Sequence, residues 1–151
     1  MERAKKDRIL RAALIALIVL TVVFILSRSA RGKTESDGES QWVTDLLRQL
    51  LCNDTISHAF VRKLAHFTEF FVLGAELSAL LWLTGKRSVQ WYINLWFAGE
   101  LTALCDETVQ IFSGRGPMVK DIWLDTAGAT CGILLLLGIR VLTEGIRNKK
   151  R

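Results

Sequence analysis

Proline occurs once in these 151 residues, histidine twice (His58 and His66) and cysteine three times. The cysteines, Cys52, Cys105 and Cys131, show none of the C-x-x-C spacing that paired thiolates need for zinc or disulfide exchange, and read as small apolar fillers. No G-x-S-x-G nucleophile motif, internal repeat, Gly/Ser linker or low-complexity tract is present. Also missing is a basic stripe with interleaved aromatics. The excess of 20 basic over 15 acidic residues gathers in "MERAKKDR" and "IRNKKR", beside apolar runs, so it marks the flanks of membrane helices and not a nucleic-acid partner.

What is abundant is apolar sequence in blocks. Four spans can be drawn, 9–26, 64–83, 92–111 and 122–142, each near the ~20 residues that cross a ~30 Å hydrocarbon layer. The expected fold is an all-α integral membrane protein, a small polytopic bundle of four transmembrane helices with an extracytoplasmic amphipathic helix. Basic residues at both ends and in the turn with Lys86 and Arg87 put both termini in the cytoplasm of a bacterial plasma membrane. The first span is apolar from Ala12 to Leu26 apart from Thr21, so it is expected to face lipid all round at the edge of the bundle, as an anchor. A cleaved signal peptide is the alternative, with Ser27 and Ser29 as small residues near a cleavage point.

Between the first two spans, "SRSARGKTESDGES" has the composition of a flexible loop. Trp42, Val43, Leu46, Leu47, Leu50 and Leu51 then recur at helical spacing, as in a helix lying on the outer leaflet or capping the bundle. The chain thus divides into a cytoplasmic tail with a first transmembrane anchor (1–26), an extracytoplasmic loop with its amphipathic helix (27–61), a three-helix membrane core (62–142) and a basic cytoplasmic tail (143–151).

The last three spans carry ionisable groups where lipid makes them costly. At about 100° per residue, Arg62, His66, Glu69 and Glu76 share one face of the second span, and Glu100, Asp106, Glu107 and Gln110 one face of the third. In the fourth, Asp121, Asp125, Gly128 and Gly132 align, and "GATCG" is a G-x-x-x-G pattern that lets helices approach closely. Helical rise places His66, Glu69, Asp106, Glu107, Gln110 and Asp125 in one layer near the outer boundary, with Arg115 and Lys120 just above. Deeper, Glu76 and Glu100 lie at matching depths as a mid-membrane acid pair, touching each other, reaching Ser78 or Thr102, or lining separate crevices.

Three separate motifs in order, "RKLAHFTEF", "DETVQIFSGR" and "KDIWLDTAGATCG", resemble the VanZ-like family, named for an accessory teicoplanin-resistance protein. The resemblance covers about residues 62–132. It implies that Arg62, Lys63, His66 and Glu69 belong to the first motif, Asp106, Glu107, Gln110 and Arg115 to the second, and Asp121, Asp125 and Gly128 to the third. Departures are Phe70 where many relatives have tyrosine, Val109 where histidine is common and Ser113 where proline often precedes Gly-Arg.

The resemblance implies a cell-envelope protein that lowers sensitivity to glycopeptide or teicoplanin-type antibiotics by acting on a lipid-linked envelope component or the drug itself. A membrane enzyme is the second reading. In it His66 acts as general base or acid, oriented by Glu69 or Asp106 with Glu107 as a further catalytic candidate, Arg62 and Arg115 hold a phosphate or carboxylate, and Lys63, Gln110, Asp121 and Asp125 complete the binding candidates. A structural ion network without a ligand is the third. A metal site from His66 with Glu69, Asp106, Glu107 and Asp125 has the i, i+3 His/Glu pair only once, so neither metal nor cofactor is assigned. A proton-coupled carrier is disfavoured by four short spans without repeats. Beyond the lipid bilayer no partner is fixed, nor is an oligomeric state.

Overall fold

The computed structural model describes residues 2–114 and 118–149, with side chains at all of these except 3, 33–37, 39 and 40. The chain is all-helical among the described residues, with five helices: α1 (Glu2–Ser29), α2 (Lys33–Leu51), α3 (His58–Thr84), α4 (Val89–Phe112) and α5 (Val119–Lys149). Three of them contain stretches long and apolar enough to cross a membrane, Ala4–Ser29, His58–Thr84 and Val119–Lys149. The fourth expected span falls within α4, where Glu100, Asp106 and Glu107 interrupt the apolar run.

Local chemistry sets the helix limits. Ser57 caps α3 by accepting a hydrogen bond from the Phe60 N–H at 3.2 Å, and Gly85, with φ of 72°, ends it in the left-handed conformation that a side chain disfavours. Gly114, with φ of 75°, closes the turn after α4. The segment expected to be a flexible loop is helical from Lys33 onward. No side chain caps that start, so the sequence carries no signature of it.

The closest packing joins α3 to α5. A Cβ at Gly74 would lie 2.1 Å from the carbonyl oxygen of Ala129, one at Gly128 2.5 Å from that of Phe67, and one at Gly132 2.1 Å from that of Phe71. The G-x-x-x-G pattern thus brings backbone against backbone as expected, with Gly74 as its counterpart on α3. Around this seam Ile25, Phe70, Leu73, Leu77, Ala103 and Ala129 form the buried apolar cluster. Phe70 is fully enclosed there, so a tyrosine at this position would need a polar partner for its hydroxyl among apolar neighbours.

The expectation that α1 faces lipid all round is corrected. Most of its apolar side chains are exposed, but Thr21, Ile25, Arg28 and Ser29, at spacings of four, seven and eight, form an inward stripe in which Ile25 and Ser29 are fully buried. α1 packs on both α3 and α4 along that stripe.

The opposite end of the bundle is basic. Buried Arg140 donates to the Lys86 carbonyl at 3.0 Å and the Tyr92 hydroxyl at 3.4 Å, and Arg11 donates to the Leu83 carbonyl at 2.8 Å. Arg87 and Arg140 share Glu144, and the Lys86 ammonium stands 3.2 Å over the Trp91 ring.

Candidate functional site

Close approach at Gly128 draws the start of α5 against Phe67, and Asp125, one turn earlier on the same face, arrives beside His66. From α4, Asp106 joins them. Donor atoms of His66, Asp106 and Asp125 all lie within 4.8 Å of one another, and both carboxylates are fully buried. His66 Nδ1 is 3.9 Å from Asp106 Oδ2. Asp106 is held on both sides, with Ser29 Oγ donating to Oδ1 at 2.5 Å and Gln110 Nε2 to Oδ2 at 2.8 Å. Asp125 contrasts with it, because neither of its oxygens has a hydrogen-bond partner among the described residues.

Glu69, a turn below His66 on α3, does not enter this group. It is paired with Arg28 at the end of α1, where the guanidinium also lies 5.8 Å from the Phe24 ring. Glu107 accepts from the Met118 N–H at 3.0 Å and so ties the end of α4 to the start of α5. Lys63 pairs with Asp121 at 3.7 Å. Arg62 is half-buried on the flank facing α2. Lys120 is exposed, and Arg115 lies outside the described residues.

The deeper acids go to different neighbours. Glu76 accepts from Thr21 Oγ1 of α1 at 3.0 Å, and Glu100 accepts from Thr126 Oγ1 of α5. Ser78 donates instead to the Ile133 carbonyl at 3.4 Å and Thr102 to the Ala98 carbonyl at 2.8 Å.

Sequence reasoning therefore missed Thr21, Arg28 and Ser29. Each contacts one of the acids it did identify. The signal was present: Thr21 is the one polar residue of the apolar run, and Arg28 and Ser29 follow seven and eight positions later, on the same helical face.

Beside the buried cluster, α1, α2 and α3 line an open cleft. Its lower part, a cavity of about 590 Å³, is lined by apolar side chains including Leu20, Phe24, Val43, Leu47, Leu64 and Val72, with Glu69 in its wall. Sharing Phe24, Val43, Val61 and Ala65, a second cavity of about 650 Å³ continues it between Trp42 and three arginines, Arg28, Arg31 and Arg62. An apolar trough thus runs into a guanidinium-lined chamber, each part within the size range of small-molecule sites.

A family model described as VanZ/LLP1 matches residues 12–141, most of the chain. No curated protein and no solved structure gives a significant match.

Proposed function

The chain belongs to the VanZ/LLP1 family of membrane proteins, and from that premise we propose that it acts at the outer face of a bacterial plasma membrane on a lipid-linked, anionic envelope component, lowering sensitivity to glycopeptide and teicoplanin-type antibiotics. The two-part cleft carries this reading. An apolar trough takes an acyl or prenyl chain, and the chamber beside Arg28, Arg31 and Arg62, whose guanidinium groups keep partners within the chain and still carry several donors each, draws a phosphate or carboxylate.

In this reading α4 is a fourth span, both termini are cytoplasmic, 62–142 is the membrane core and α2 lies on the outer leaflet. Support comes from α4's 24 residues, about 36 Å of helix, and from Arg11, Lys86, Arg87 and Arg140 meeting at one end, as the positive-inside rule requires of a cytoplasmic face. Exposed Trp42, Leu50 and Leu51 give α2 an apolar surface for lipid.

A second reading, an enzyme acting on that lipid-linked component, draws on the His66–Asp106 pair, in which the carboxylate would orient the imidazole as general base or acid. Deletion and complementation in the native host, scored against a panel of envelope-targeting antibiotics, tests the proposal. Selective sensitisation to glycopeptides is expected, and an unchanged panel overturns it. Alanine at His66, Glu69, Asp106, Gln110 or Arg115 should abolish tolerance at near-normal membrane abundance. A purely structural ion network instead predicts loss of the protein, since stranding one partner of a buried charge pair costs about 3–5 kcal/mol.

A further inference from the structure

Asp125 is the least satisfied polar group in the described bundle. It is fully buried, and both of its oxygens lack a hydrogen-bond partner among the described residues, while neighbouring acids are answered by cations. Glu69 has Arg28 and Asp121 has Lys63. A buried carboxylate left in that state is costly, and the groups it faces are a second carboxylate and an imidazole.

We propose that His66, Asp106 and Asp125 form a binding site for one divalent transition-metal ion of the Zn²⁺ or Mn²⁺ type, joining α3, α4 and α5. A 2+ charge matches the two carboxylates, and one imidazole nitrogen with two carboxylate oxygens is a donor set that suits these ions. Magnesium is disfavoured, because it holds a near-ideal octahedron of oxygens and keeps most of its waters. Geometry agrees. Donors of a tetrahedral ion bonded at ~2.1 Å stand ~3.4 Å apart, so atoms now within 4.8 Å close the site by moving less than about 1 Å each.

The surroundings have the form of a ligand shell. Asp106 is oriented by Ser29 and Gln110, as metal-bound carboxylates are fixed by hydrogen bonds from outside the coordination sphere. Three protein donors leave at least one position for water or for an oxygen of an anionic ligand. The expected wider set from the sequence is thereby narrowed, since among the described residues only His66, Asp106 and Asp125 bring donor atoms within 4.8 Å of one another.

This inference concerns the polar layer of the proposed function, but its binding test is separate from the antibiotic panel. The full chain, purified in mild detergent and stripped with EDTA, is titrated with Zn²⁺ and with Mn²⁺ by calorimetry, and metal content after dialysis is read by mass spectrometry. Close to one ion per chain is expected, with thermal stabilisation on loading. D125N and H66A should each weaken binding by more than about 100-fold, S29A by about 10–100-fold, and H58A, which alters the other histidine, should bind as the wild type does. Wild-type chain that retains under about a tenth of an equivalent, or D125N that binds as tightly as wild type, overturns the site. Should D125N fail to accumulate, the wild-type stoichiometry and H66A decide. Failure of the chain to bind either ion refutes the cation site alone, and a chain that binds metal but whose deletion leaves the antibiotic panel unchanged refutes the envelope reading alone.

Discussion

Replacing Gly132 by alanine tests the seam that positions the site. The new Cβ would stand 2.1 Å from the Phe71 carbonyl oxygen and 2.7 Å from the Ala75 nitrogen, whereas real Cβ atoms essentially never come within 3.0 Å of such atoms. Both obstacles are backbone, so no rotamer change relieves them. α5 must move away from α3 by at least 0.9 Å locally, the difference between 3.0 and 2.1 Å. A gap of 0.5–1 Å forfeits roughly a quarter to a half of the dispersion energy along the contact, and overpacking of this kind costs about 1–3 kcal/mol. Gly138, six residues further along the same helix, has nothing within 4 Å of a built Cβ. Alanine there should be neutral or stabilise by up to about 1 kcal/mol through lower unfolded-chain entropy. Unfolding of both variants in a mild-detergent to SDS titration should separate them by about 1–4 kcal/mol. Equal stability of G132A and G138A would refute the close-packed α3–α5 seam, and with it the account of how Asp125 reaches His66.

Two further outcomes follow from charge placement. Arg28→Gln leaves Glu69 without its partner in a site where the two side chains are 25% and 11% exposed, so a loss of about 1–2 kcal/mol is expected after allowing for solvent; Arg87→Gln, 70% exposed, should cost under about 1 kcal/mol, and thermal scanning in detergent compares them. A topology reporter fused after Arg151 should be active only in its cytoplasmic form, and one active only outside the membrane would contradict the four-span arrangement.

Much of the layer was legible because membrane helices leave few choices. Ionisable groups in apolar runs turn inward, and a rise of about 1.5 Å per residue fixes their depth, which is how His66, Asp106 and Asp125 could be grouped from distant parts of the chain. Gly128 and Gly132 announced themselves by their spacing. Gly74 did not, because a lone glycine in an apolar helix has no pattern of its own. The larger omission was α1. Its exposed apolar majority dominates composition, and Arg28 and Ser29, just past the apolar run, looked like flanking residues when they are the partners of Glu69 and Asp106. The start of α2 was equally hidden, since Gly32, Gly38 and the serines around them are loop formers by composition.

The inward stripe of α1 also bears on how the molecule is built during synthesis. The chain emerges from the ribosome N-terminus first, so α1 reaches the membrane before any of the acids it serves. When α3 and α4 follow, Thr21, Arg28 and Ser29 are already there to receive Glu76, Glu69 and Asp106. α5 comes last. It brings Thr126 to Glu100, the glycines that seal it onto α3, and Asp125, a fully buried acid with neither oxygen hydrogen-bonded among the described residues. Biogenesis of the bundle thus ends with the arrival of the carboxyl group that the earlier helices leave without a hydrogen-bond donor among the described residues.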